Sequence, residues 1–354
     1  MREFDHEALP VRVVFGEGTA RTRLVSEIER LGATRVLLVV GRSAEATARE
    51  LVAPLGDRLA ATFTGVRPHV PAEVAEQARA LAAAAGADAV LSVGGGSTTG
   101  TAKAVALTAD LPVIAVPTTY AGSEVTPVWG ITDGARKTTG VDRRVLPRTV
   151  IYDPELTHAL PARLSVVSGL NALAHCVEAF WAPGRNPVTA LLAAEGIRAL
   201  ATGLPAVAAD GADPTGRADL LYGAYLAGSA FAVAGSGLHH KICHALGGAY
   251  DLPHPETHAV LLPYVLAFNA PAAPDAARRT AAALGVRDAV GGLRDLASRL
   301  GAPMALRELH LREDQLDAAV GLILPVVPAD NPRPVDAGGL RRLLGAAWAG
   351  GNAP

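Results

Sequence analysis

Short β-branched runs alternate with alanine-rich helical stretches as far as about residue 155, and there the alternation stops. RVLLVV (Arg35 to Val40), DAVLSV (Asp88 to Val93), PVIAVP (Pro112 to Pro117) and TVIYD (Thr149 to Asp153) are bounded by Gly, Pro or Asp, as buried strands are. AEATARELVAPL and AEVAEQARALAAAAG lie between the strand runs with helix-forming composition. Strand and helix in strict alternation predict a parallel sheet covered on both faces, an α/β domain over residues 1–155. From about Pro161 only Ala- and Leu-rich helical segments remain, broken by Pro and Gly, so 156–354 reads as an all-helical domain. No repeat at a solenoid period interrupts this plan.

The chain has 354 residues, half of them apolar, with a net charge of -2. That length suits two cores rather than one. With no basic block or acidic tail, nucleic acid and anionic membrane surfaces are not expected partners. Cys176 and Cys243, the two cysteines, are too few for a disulfide framework and read as buried thiols. The first residues carry Glu3, Asp5 and Glu7 and no apolar run, unlike a signal peptide, so a cytoplasmic location is expected. Leu220 to Leu238 lacks charge over a length that spans a bilayer. Its Gly, Ala and Ser content favours a closely packed central helix instead.

A glycine loop supplies the first functional signal. DAVLSV runs into Gly94-Gly95-Gly96-Ser97-Thr98-Thr99-Gly100 and then the helix start TAKAVAL. Strand, glycine turn and helix N-terminus make an anion site, because backbone N–H groups reach a phosphate and the helix dipole favours negative charge. Neither G-x-G-x-x-G nor the Walker pattern is present, and Lys103 sits within the helix, followed by Ala104. Pro117-Thr118-Thr119-Tyr120-Ala121-Gly122-Ser123-Glu124 follows the next strand, and open parallel sheets bind ligands beyond such strand ends. After RVLLVV comes Gly41-Arg42-Ser43, with no acidic residue to hold a ribose 2′-hydroxyl, while Arg42 suits a 2′-phosphate. Use of NADPH as well as NADH is therefore expected, with Lys137 a further cofactor contact.

The second signal is the distribution of the ten histidines. His240 and His244 stand four apart on one helical face, beside His239 and Lys241; His254 follows in a turn, with His258 four beyond. Upstream, Asn171 and His175 repeat that spacing. Two helices and a loop histidine converging in this way form a metal-like cluster. An ordinary divalent site adds a carboxylate, and here the matching position is the neutral Asn171. Glu178, seven residues on, reads as a satisfied helix carboxylate rather than a replacement ligand.

GGGST with AKA, PTTYAGSE, GLNALAH, GLHHKICHALGG and LPHPETH, in this order, resemble the iron-containing (group III) alcohol dehydrogenase superfamily. The resemblance covers nearly the whole chain. It implies the dehydroquinate synthase-like fold, an N-terminal dinucleotide-binding α/β domain with a helical C-terminal domain, in a homodimer. The family's metal ligands, an aspartate and three histidines, fall on Asn171, His175, His240 and His254, so the site is degenerate and no metal is expected. His244 matches a family histidine near the nicotinamide.

Within the family, YAGSEVTPVWGITDGARKTTG, RVLPRTVIYDP, GLNALAHCVEAFWAP and HHKICH are similar to the maleylacetate reductase branch, as is Gly100 where metal-dependent relatives carry aspartate. That resemblance implies reduction of the carbon–carbon double bond of maleylacetate to 3-oxoadipate with NADH or NADPH, without a required metal, in aromatic-compound breakdown. His240, His244, His254, Lys241 and His175 are then the catalytic candidates, as hydrogen-bond donors to a developing enolate or as proton donors. The small dicarboxylate substrate calls for local positive charge from Lys241, Arg136, Lys137, Arg143 or Arg144. The competing readings are a metal-dependent alcohol or polyol dehydrogenase of the same fold, and a non-redox enzyme or binding protein reusing the scaffold.

Overall fold

The computed structural model describes residues 3–134 and 136–352, with Arg136 and Lys137 described by backbone alone. Two compact units divide it: Ala8–Leu160, and Pro161 onward together with the residues up to Glu7.

The first unit begins β1 (Arg12–Phe15), α1 (Thr19–Arg30), β2 (Val36–Val40), α2 (Glu45–Val52), β3 (Leu59–Phe63) and α3 (Ala72–Ala84). It continues β4 (Ala89–Gly94), α4 (Gly96–Ala109), β5 (Val113–Pro117), the pair β6 (Val128–Asp133) and β7 (Arg136–Val141), and β8 (Thr149–Tyr152). Six strands form one sheet in the order β1-β8-β5-β4-β2-β3, every pairing parallel. The central strands β2, β4 and β5 are buried along their whole length, because helices cover both faces. One face packs Leu24, Ile28, Ala48 and Leu51 against Leu38, Leu91 and Ile114. The other packs Val74, Ala78, Ala102 and Val105 against Leu37, Val39 and Val90.

The four strands expected from sequence are the sheet's interior. Its two edges, β1 and β3, and the antiparallel hairpin β6–β7 were not expected. β1, β3 and β6 are largely half-exposed, so they lack the unbroken apolar run that marks a strand buried on both faces.

The second unit is helical: α5 (Ala162–Ala179), α6 (Pro187–Ala209), α7 (Pro214–Ala234), α8 (Leu238–Tyr250), α9 (His254–Asn269), α10 (Pro274–Leu284), α11 (Ala289–Arg299), α12 (Leu316–Ile323) and α13 (Ala337–Ala349). Helix α6 is long and apolar enough to cross a membrane by length and composition. It packs on α5 and α7, with Ala193, Ile197, Leu200 and Leu204 fully buried. The uncharged stretch from Leu220 lies in α7, which ends at Gly235 and turns by 99° into α8. Gly196, Gly203, Gly216 and Gly223 let α6 and α7 approach closely; a Cβ on Gly203 would stand 2.8 Å from the Gly216 carbonyl oxygen. Cys176 and Cys243 are free, buried thiols.

Candidate active site

In the α/β unit, three loops leave the carboxyl ends of adjacent strands. From β2 the chain runs to β3 on one side and to β4 on the other, so the sheet order reverses between β2 and β4. Such a switch point is where open α/β sheets open a ligand crevice. Gly41 and Arg42 leave β2 there, and Gly94, Gly95 and Gly96 leave β4. Gly94 has φ 151°, and a Cβ on it would stand 2.5 Å from the Thr98 hydroxyl oxygen. A Cβ on Gly41 would lie 3.3 Å from the same oxygen, so the two loops meet at Thr98. The loop after β5 joins them: the Thr118 N–H donates to the Gly94 carbonyl at 3.0 Å, and Thr119 approaches Gly95.

Helix α4 starts at Gly96 with Gly95 as its cap and no side chain capping it. The Thr98 and Thr99 N–H groups close on the Gly95 carbonyl at 3.0 and 3.1 Å, and the N–H groups of Gly96 and Ser97 ahead of them are the ones such a terminus leaves for an anion. Ser97 is half-buried at the rim, Thr98 and Tyr120 are buried, and Arg42 is exposed. The glycines, the helix start and the hydroxyls fit a pyrophosphate. The side chain of Lys137, expected at the cofactor, lies outside the described residues, as does that of Arg136.

Lys103 has a role that sequence reasoning left unassigned. It is fully buried, and its Nζ donates to the carbonyls of Ser123 at 2.6 Å, Thr126 at 2.7 Å and Val128 at 2.8 Å. Helix α4 thereby tethers the segment from Ser123 to Val128, which follows Thr118, Thr119 and Tyr120. Burial pushes its ammonium down to about 7, opposed by the charge of Glu124. Glu124 is itself buried, its carboxyl raised by that burial, and accepts from the Tyr152 hydroxyl at 2.7 Å.

In the helical unit, α5 carries Asn171, His175 and Glu178; α8 carries His239, His240, Lys241, Cys243 and His244; α9 carries His254 and His258. His254, expected in a loop, is the first residue of α9, because Pro255 at the next position suits a helix start. The His175 and His240 rings stack at 4.9 Å between centroids, and His240 meets His258 at 4.8 Å. His254 lies 4.4 Å from His258 and 5.8 Å from His244, while Phe231 packs 4.8 Å from both His175 and His240. The spacing thus brings the expected histidines into one cluster, joined by His239 and His258, which were not among the catalytic candidates. His239 is buried, with its Nε2 2.9 Å from His258 Nδ1 and 3.7 Å from Cys243 Sγ.

Glu178 is fully buried beneath the start of α8. One oxygen accepts from the His239 backbone N–H at 2.7 Å, and the other meets His240 Nδ1. A Cβ on Gly237 would stand 2.8 Å from its carboxylate, so glycine there makes room for this cap. Burial pushes the Glu178 carboxyl up to about 7, against backbone N–H donors from Gly237, His239 and His240. Burial also lowers the imidazoles: His175 to about 4, His239 to about 3, and His240 and His258 well below their ordinary value.

Within this cluster five buried polar atoms from three helices have no protein partner among the described residues: Asn171 Oδ1, His175 Nδ1, His239 Nδ1, His240 Nε2 and His258 Nε2. Such atoms call for a ligand or water. All are neutral ligand atoms, and the carboxylate beside them, Glu178, is committed to α8 and to His240. This set does not fit a resident hard divalent ion, which takes an anionic ligand to offset its charge. Lys241 is half-buried and its charge reaches Glu178. Arg143 and Arg144 are exposed, and Arg144 is bound to Asp142 at 2.7 Å.

Known proteins share this plan from end to end. The family described as iron-containing alcohol dehydrogenase matches residues 10–154, and that described as Fe-containing alcohol dehydrogenase family, C-terminal, matches residues 165–348. The maleylacetate reductase of Burkholderia cepacia is 48% identical over 99% of both chains. The crystal structure of a Rhizobium maleylacetate reductase superposes with a TM-score of 0.95 at 46% identity, covering 99% of each chain. An iron-containing alcohol dehydrogenase from Corynebacterium glutamicum gives 0.95 at 51% identity over 98% of this chain and 97% of that one. With glycine cradle, histidine cluster and sequence matching over both units, the chain belongs to the iron-containing alcohol dehydrogenase family.

Proposed function

We propose that this protein reduces the carbon–carbon double bond of maleylacetate to give 3-oxoadipate, using NADH or NADPH and no resident metal, as a cytoplasmic homodimer. The observation that carries this reading is the neutral ligand set: Asn171 stands at the family's aspartate position, and Glu178 is engaged elsewhere. The similarity to maleylacetate reductases over the full chain supports it.

The chemistry suits such a site. Bound NADH or NADPH supplies a hydride to the alkene carbon remote from the ketone, and the displaced electron pair becomes an enolate on the ketone oxygen. Hydrogen-bond donors aimed at that oxygen stabilise the charge without a Lewis acid. His175, as its Nδ1–H tautomer, presents a buried donor with no protein partner among the described residues for this task. A proton delivered to the carbon next to the ketone then completes the product; His244, exposed on α8 beside His254, is the donor in this reading. Lys241 offsets a substrate carboxylate. The glycine cradle at Gly94 to Gly96 holds the cofactor's pyrophosphate, and Arg42 admits the 2′-phosphate of NADPH.

The test is cofactor oxidation at 340 nm with maleylacetate, before and after exhaustive dialysis against a chelator. Full activity in the metal-free protein is expected; activity that vanishes with the metal and returns with Fe²⁺ or Zn²⁺ overturns the reading. A companion variant probes the ligand set itself. Asn171→Asp restores an anionic ligand and is expected to raise divalent-metal affinity by about 10–100-fold, measured by competition with a chromogenic chelator. Unchanged affinity means that the cluster does not retain the geometry of a metal site.

A further inference from the structure

We propose that Glu178 is a positioning residue for the reaction: by accepting the Nδ1 proton of His240, it makes Nε2 the ring atom that meets the ligand. Three observations support this. The Glu178 carboxylate is a pure acceptor surrounded by donors. One oxygen takes the His239 N–H at 2.7 Å, and Gly237 and His240 add further N–H groups from the first turn of α8. A helix N-terminus stabilises the charged form, since its orphan N–H groups and its dipole both favour an anion. The other oxygen meets His240 Nδ1, so that nitrogen carries a hydrogen.

The remaining ring nitrogen follows from this. His240 Nε2 is buried, has no partner among the described residues, and belongs to the group that includes Asn171 Oδ1, His175 Nδ1 and His258 Nε2. With Nδ1 held by a carboxylate, Nε2 accepts a proton or hydrogen bond in the neutral ring. This carboxylate–imidazole arrangement orients bases in unrelated enzymes. The fold secures it twice, because Glu178 sits one turn beyond His175 on the same helix and the Cβ-free Gly237 lets it reach under α8. The kinetic part of the proposal rests on the reductase reading; the tautomer does not.

The experiment is ¹⁵N NMR of histidine-labelled full-length protein in alkaline buffer, with the His240 signals assigned by their loss in His240→Asn. Wild type is expected to show hydrogen on Nδ1 and a bare Nε2. Glu178→Gln retains an oxygen for the His239 N–H but turns an NH₂ toward Nδ1, so the hydrogen moves to Nε2. In that variant kcat falls by about 10–100-fold while KM for the enoate holds. Glu178→Asp restores the Nδ1–H signal and part of kcat, a rescue that a purely structural role does not provide. An Nε2–H tautomer in wild type overturns the proposal whether or not the variants fold, and so does Glu178→Gln with wild-type kcat. Turnover of maleylacetate by wild type is scored separately: its absence removes the reductase reading, while the tautomer decides the role of Glu178.

Discussion

Replacing Lys103 with methionine is expected to lower the melting temperature by about 10 °C and to weaken nicotinamide binding together with it. The side chain is fully buried, and its ammonium satisfies the carbonyls of Ser123, Thr126 and Val128 at once. Methionine fills a similar volume but donates nothing, so three buried acceptors lose their partner. Breaking such a buried charged group costs about 3–5 kcal/mol, and for a unit of this size each kcal/mol moves the midpoint by about 2–4 °C. The carboxyl of Glu124 also loses the nearest balancing charge. Because the freed carbonyls belong to the segment that follows Thr118 and Thr119, the loop at the cofactor cradle loosens as the unit weakens. Calorimetry and a titration of NADPH fluorescence read the two effects. A variant with both values unchanged shows that the loop is held by its other contacts, such as the Thr118 N–H on Gly94, and not by Lys103.

That lysine also marks where sequence reasoning stops. AKA after GGGST places Lys103 on α4 but does not say whether it faces a phosphate or the interior; only the packing of α4 against the Ser123–Val128 segment decides that. The sheet shows the same limit. VLLVV, AVLSVG and VIAVP are buried from end to end, so their apolar runs are visible without knowledge of their neighbours. LAATF at the β3 edge and the half-buried VWGITD of β6 depend on what lies beside them. In the histidine cluster, four-residue spacing reveals Asn171 with His175, His240 with His244, and His254 with His258, because a helix turn is a local fact. The meeting of His239 with His258, and of Glu178 with His240, depends on how α5, α8 and α9 cross. A carboxylate seven residues after Asn171 therefore reads as a helix feature in sequence, and as the cap of another helix in space.

The same burial makes acid stability a sensitive property of the helical unit. His175, His239, His240 and His258 are all held below the ordinary imidazole value by burial, two of them to about 4 and about 3. As pH falls through 6.5 the unfolded chain binds a proton at each, whereas the native chain binds none until far lower. Stability is therefore lost as pH falls below that value. Glu178 acts in the opposite sense. Its carboxyl, raised from 4.5 to about 7, is protonated first in the native state, so it contributes stability that is present at low pH and lost as pH rises through 7. Glu124, raised by burial in the other unit, contributes in the same direction as Glu178. The imidazoles outnumber the raised carboxyls, and each proton of excess taken up on unfolding costs about 1.4 kcal/mol per pH unit, or about 3 kcal/mol over two pH units. Against a total of about 5–15 kcal/mol, the melting temperature is expected to fall by about 10 °C between about pH 7 and about pH 5. Urea unfolding across that interval measures the slope directly. A free energy that stays level means that the imidazoles already carry protons in the folded protein, which places water or a charged partner inside the cluster.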